Sequence, residues 1–116
     1  MAPEVPVLFI HWETVVGEVL DHTEKFPKRV RFTFAQRIDG LVLDILEWLV
    51  KARFGAPAEK RQALAAMDGA LARLRVLLRL CHTRRYLDHQ GHEHLQRQID
   101  EAGRMVGGWR TSLERR

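Results

Sequence analysis

Cysteine is almost missing from this 116-residue chain, with Cys81 standing alone. A single cysteine excludes an internal disulfide framework and fits a reducing compartment, so the expected location is the cytoplasm. Cys81 itself is read as a small buried apolar residue. Long apolar runs are absent too. The longest candidate, LVLDILEWLV, is interrupted by Asp44 and Glu47 and falls short of the ~20 residues a membrane span needs. The stretch MAPEVPVLFIHWE has no basic start and no small-residue cleavage site, so no leader is expected there. Lysine is scarce: Lys25, Lys28, Lys51 and Lys60 stand beside 15 arginines in a chain of net charge +4. Arginine's planar fork suits phosphate and carboxylate oxygens better than the point charge of lysine does.

Catalytic signatures are missing as well. There is no Gly-rich phosphate loop, no nucleophile elbow and no inward-facing set of Glu and ExxH residues for a di-iron bundle. Neither an enzyme nor a cofactor is expected. The stretch HTRRYLDHQGHEH holds His82, His89, His92 and His94 with Asp88 and Glu93. Zinc ligands on one helix need spacings of three or four on a common face, and HEH is not HExxH. His89 and His92 have a possible spacing but fall in an expected turn, so the stretch is read as a solvated polar turn without metal. Asp39, Asp44, Asp100 and Glu101 read as surface acids.

What remains is helical. The composition, 46% hydrophobic and 29% charged, fits one folded domain over residues 1–116. Strand alternation is lacking, and Gly and Pro cluster at a few breaks. A first helix is expected from about Pro6 to Thr23, with Leu8, Trp12, Val15, Val16, Val19 and Leu20 inward. After KFPKR a second runs to about Arg53, carrying Ile38, Leu41, Val42, Ile45, Trp48, Leu49 and Ala52 at helical spacing. FGAP breaks it, since Gly55 can close one helix and Pro57 open another. The third covers about Ala58 to Thr83 with a seam of Leu64, Met67, Leu71, Leu74, Leu78 and Cys81. A turn around YLDHQG leads to a fourth, ending near Leu113, with Leu95, Ile99, Ala102, Val106, Trp109 and Leu113 inward. The expected fold is all-α, an antiparallel up-down-up-down four-helix bundle.

Two outer faces depart from a simple bundle. The third helix, which contains ALARLRVLLRL, places Arg61, Asp68, Arg75 and Arg79 on one flank of its seam, and Arg73 and Arg84 on the other. Between them, opposite the core, lie Ala65, Gly69, Ala72, Val76 and Leu80, where a monomer should be polar. On the fourth helix Gly103, Gly107 and Gly108 each cost ~1 kcal/mol relative to alanine. Close packing inside the bundle and contact with another subunit would both account for them. These faces make Gly69, Ala72, Val76, Leu80, Gly103 and Gly107 the candidate oligomer interface. The second basic cluster, EKFPKRVRF, sets Lys25, Lys28, Arg29 and Arg31 among Phe26, Phe32 and Phe34, with Arg37 a turn later. Cations for phosphate and rings for stacking are the components of a nucleic-acid surface. The same letters also describe a solvated loop whose phenylalanines enter the core. Basic residues at a helix N-terminus oppose its dipole, so helix stability does not select them.

The run FPKRVRFTFAQRI, then ALARLRVLLRL, then AGRMVGGWRTSL resembles the accessory variability determinant (Avd) proteins of diversity-generating retroelements. Their wider relatives are four-helix proteins encoded within intervening sequences of ribosomal RNA. The resemblance covers about Phe26 to Leu113. It implies a homopentameric barrel with a basic exterior that binds a reverse transcriptase and nucleic acid, RNA or cDNA, during error-prone copying of a template. By position, Arg75 and Arg79 of the LRxxLR run are the leading candidates for an acidic partner. Lys28 and Arg29 match the basic residues after the FPK proline; Arg104 and Arg110 match loosely. The full candidate binding set is Lys28, Arg29, Arg31, Arg37, Arg73, Arg75, Arg79, Arg84 and Arg104. A structural interaction module of the ribosomal-RNA branch, without nucleic-acid binding, is the alternative.

Overall fold

The computed structural model describes residues 5–115. The expectation about a leader rests partly on residues 1–4, which lie outside the described residues. Four α-helices are present, and no strand occurs among the described residues: α1 Val5–Thr23, α2 Gln36–Phe54, α3 Pro57–Thr83 and α4 His89–Glu114. Consecutive helices pack on one another, and α4 returns against α1, closing a four-helix ring 47 Å long and 24 × 20 Å across. The connections α1–α2 and α3–α4 therefore lie at the same end.

The apolar periodicity accounts for the core. Every residue of the α3 seam and of the α4 set is buried, joined by Ala63, Ala70, Met105 and Leu87. Trp12 is fully buried and its Nε1–H donates to the Val42 carbonyl at 2.9 Å, fixing α1 against α2. Two expected core residues are displaced. Leu20 is 37% exposed, because it sits on the edge of α1 that opens towards α2. Trp48 is only half-buried, with the Lys51 ammonium over its ring.

The breaks have physical causes. Between α2 and α3 only Gly55 and Ala56 intervene. A Cβ at Gly55 would lie 2.6 Å from the Lys51 carbonyl oxygen and 2.9 Å from the Glu59 Cβ, so the close turn requires glycine. Pro57 occupies the first helical position, where its missing N–H costs nothing. Lys60 Nζ then donates to the carbonyls of Ala52 and Arg53 at 3.0 and 2.8 Å, satisfying the end of α2.

The basic segment does not pass directly into a regular helix. Lys28–Val30 form a 3-10 turn, and Arg31–Ala35 a π-helical turn that runs into α2. The wide π turn brings Val30 and Ala35, five residues apart, onto the same buried face. It also divides the phenylalanines. Phe26 is buried, Phe34 half-buried and Phe32 81% exposed.

Candidate nucleic-acid interface

Tyr86, in the α3–α4 connection, joins two basic segments that the sequence separates. Its ring packs against Phe26 and Phe34, with centroids 6.0 and 5.8 Å away. The Arg29 guanidinium lies over the same ring at 5.8 Å. Hydrogen bonds from Arg84 and then Arg29 hold the Tyr86 phenol below its ordinary 10, against a smaller opposing effect of burial. One end of the bundle thus gathers Arg29 on the 3-10 turn, Arg84 at the close of α3, and an aromatic platform between them.

Arg85, next in the chain, has φ 66°, the left-handed region that glycine usually occupies. It ends α3 as a Schellman motif: Tyr86 N–H donates to the Cys81 carbonyl at 2.9 Å, and Arg85 N–H to the His82 carbonyl at 3.0 Å. An arginine there costs on the order of 1–2 kcal/mol in backbone strain. Helix termination would be served better by glycine, so the reason for the cation lies outside helix stability. Neither Tyr86 nor Arg85 was in the candidate set. The single tyrosine beside two arginines was the available signal.

The remaining candidates fall into separate groups. Lys28 is exposed on the 3-10 turn, while Arg31 lines the groove between α1 and α2. Arg37 and Arg73 face each other across the groove between α2 and α3, which holds about 430 Å³ and includes Leu41, Ala72, Val76 and Leu77. Arg79 is exposed near His92. Arg75 turns towards α4, where its Nε donates to Asp100 Oδ1 at 3.1 Å. Arg104 pairs with Glu101 and lowers that carboxyl below its ordinary range. Arg110 reaches back to Asp68. Arg75 therefore finds its carboxylate across the bundle, on α4. Exposed pairs of this kind contribute little and exchange readily for another anion.

The family model described as bAvd-like matches residues 7–113, nearly the whole bundle. The chain belongs to the bAvd-like family. The match extends through α1, beyond the part of the sequence that carried the resemblance to Avd proteins. No curated protein matches the chain.

In this bAvd-like chain the strip opposite the α3 seam is open to solvent: Val76 is 51% and Leu80 43% exposed, and Ala65, Gly69 and Ala72 are exposed too. A Cβ at Gly69 or Gly107 would meet nothing within 4 Å, so packing inside the bundle does not require either glycine. Gly103 differs. A Cβ there would lie 2.9 Å from Arg75 Nη2, so its absence makes room for the guanidinium.

The histidine-rich stretch is not a solvated turn. Asp88 caps α4 through a 2.7 Å hydrogen bond from the Gly91 N–H, so His89, His92 and His94 all lie on a helix. His82 stacks on His92 with centroids 4.6 Å apart, and His89 lies 5.7 Å from His82. His94 is instead turned to Glu18 of α1. Burial, then the charges of His82, His89 and Arg79, hold His92 below its ordinary 6.5. No group of three or more His, Cys, Asp or Glu among the described residues is arranged to hold a metal ion. Cys81 is fully buried, and burial raises its thiol to about 11, which leaves it unreactive. No helix among the described residues is long and apolar enough to cross a membrane.

Proposed function

We propose that this bAvd-like protein is a non-catalytic accessory factor of a diversity-generating retroelement. It binds the reverse transcriptase together with template RNA or cDNA and supports mutagenic copying. The chain acts as a homo-oligomer, a pentamer by the family resemblance, whose contacts include Gly69, Ala72, Val76, Leu80, Gly103 and Gly107. The observation that carries nucleic-acid binding is the convergence of Arg29 and Arg84 on Tyr86 at one end of the bundle, beside exposed Lys28 and Phe32. Cations there would neutralise phosphates, and the rings would accept stacked bases. Arg75, Arg79 and Arg104 extend the basic track along α3 and α4, their surface pairs yielding to phosphate oxygens. Arg31, Arg37 and Arg73 border the apolar grooves and serve protein contacts.

The pairing of Arg75 and Arg104 with acids favours one second reading, an interaction module that binds protein alone. Co-purification with a retroelement reverse transcriptase, with and without nuclease, separates the two. The proposed function predicts that the chain brings down enzyme and RNA, and that nuclease weakens the complex. Capture unaffected by nuclease, with no RNA recovered, supports the second reading. Failure to capture the enzyme under both conditions contradicts both.

A further inference from the structure

The charges are divided unevenly among the helices, and the division follows the exposed apolar surface. Helix α1 carries Glu13, Glu18 and Asp21 with no lysine or arginine, and Glu24 follows directly. Glu18 is engaged by His94 and Gln98 of α4. Glu13, Asp21 and Glu24 are exposed and form no ion pair among the described residues. Asp44 and Glu47 extend this unpaired acidic surface along α2. Between α1 and α2 lies a groove of about 640 Å³, whose lining includes Leu20, Phe32 and Leu43, the acids Glu24 and Asp39, and Arg31.

The other side of α2 is the reverse. There the groove against α3 is bordered by Arg37 and Arg73, also without ion pairs among the described residues, and floored by Leu41, Ala72, Val76 and Leu77. The α2–α3 groove is thus an apolar floor edged by arginine, and the α1–α2 groove an apolar floor edged mainly by acids, with Arg31 among its lining. Each also carries glycine that the bundle does not require: a Cβ at Gly17 or Gly40 near the first, or at Gly69 near the second, would meet nothing within 4 Å. A mid-helix glycine costs ~1 kcal/mol against alanine, so smooth backbone on both faces is explained by a second backbone lying close.

We propose that the acidic α1–α2 groove of one copy receives the arginine-edged α3 strip of a second copy. The occupant is a second copy of this chain because the two faces complement each other in charge sign, apolar floor and small-residue surface. The contact is heterologous, using two different patches on every chain. The patches open on adjacent sides of α2, so successive copies turn towards closure rather than stacking in a line. Asp21 and Glu24 meet Arg37 and Arg73 across it. This rests on the self-association proposed above and supplies the missing partner surface for the α3 strip.

Charge reversal tests the pairing by light-scattering mass, with helicity followed by circular dichroism. Asp21→Arg/Glu24→Arg and Arg37→Glu/Arg73→Glu are each expected to reduce the wild-type mass to that of one chain. All four residues are exposed, so helicity is expected to hold. An equimolar mixture of the two variants, or one chain carrying all four changes, is expected to assemble again. If a reversal lowers helicity, Arg37→Gln/Arg73→Gln replaces it, with a tenfold or greater weakening of assembly expected and an unchanged assembly counting against the pairing. Wild type with the mass of a single chain would overturn both self-association and this pairing. A multi-chain wild type whose mass survives both reversals would overturn the pairing alone, as would loss of mass without rescue.

Discussion

The guanidinium of Arg29 lies 5.8 Å over the ring of Tyr86, linking the α1–α2 connection to the α3–α4 connection. With Phe26 and Phe34 on the same ring, Tyr86 holds together the end of the bundle that carries the proposed nucleic-acid surface. Tyr86→Ala removes three ring contacts and is expected to cost about 2–4 kcal/mol in urea denaturation. Tyr86→Phe keeps the ring contacts and loses only the hydroxyl, so its loss of stability is expected to be clearly the smaller of the two. Equal losses for the two variants would contradict the platform.

Arg85 separates stability from function. Arg85→Gly relieves a left-handed arginine and is expected to raise unfolding stability by about 1 kcal/mol. The same change should weaken RNA binding, measured by anisotropy at low salt. A variant that is less stable, or that binds as wild type does, would show that Arg85 is held there for another reason.

Stability should fall in mild acid. His92 is held below its ordinary 6.5, so the unfolded chain binds its proton first as pH drops. The stabilising contribution is complete above 6.5 and is lost as pH falls through the lower value of the folded state. His92→Gln should flatten this part of the profile, read as urea midpoints between pH 7.5 and 5. An unaltered profile would place the titration on another group.

Glycines distinguish empty from crowded surfaces. Gly69→Ala meets no neighbour and is expected to raise the helical stability of a single chain by up to about 1 kcal/mol. Gly91→Ala, by contrast, would set a Cβ 2.8 Å from both Asp88 Oδ1 and His22 Cε1. It should destabilise, by thermal denaturation at a protein concentration where both variants have one mass. The opposite order would contradict the packing described here.

Much of this fold was legible in the sequence, because apolar spacing of three and four is a direct record of burial. The α3 seam from Leu64 to Cys81 and the α4 set from Leu95 to Leu113 are buried residue for residue. Periodicity was less informative at the edges of the core: Leu20 keeps the spacing yet lines the open groove between α1 and α2, and Trp48 keeps it yet is only half-buried, with Lys51 over its ring. It also failed at the π-helical turn, whose five-residue spacing mimics no regular helix, and at His89, where the Asp88 cap starts α4 inside an expected turn. The candidate binding residues were chosen by type and by position on a wheel. A single helix cannot reveal what faces it across the bundle, so the ion pair of Arg75 with Asp100 and the joining of Arg29 to Arg84 through Tyr86 were not visible.

The most direct test of the central claim is fluorescence anisotropy of a structured RNA, titrated with the protein at several salt concentrations. Wild type is compared with Arg29→Glu/Arg84→Glu of unchanged helicity. The account predicts affinity that falls steeply with salt for wild type, with a log–log slope shallower by about one to two in the variant and at least tenfold weaker binding. Binding that is insensitive to salt, or equal in the two proteins, would contradict a nucleic-acid surface at this end of the bundle.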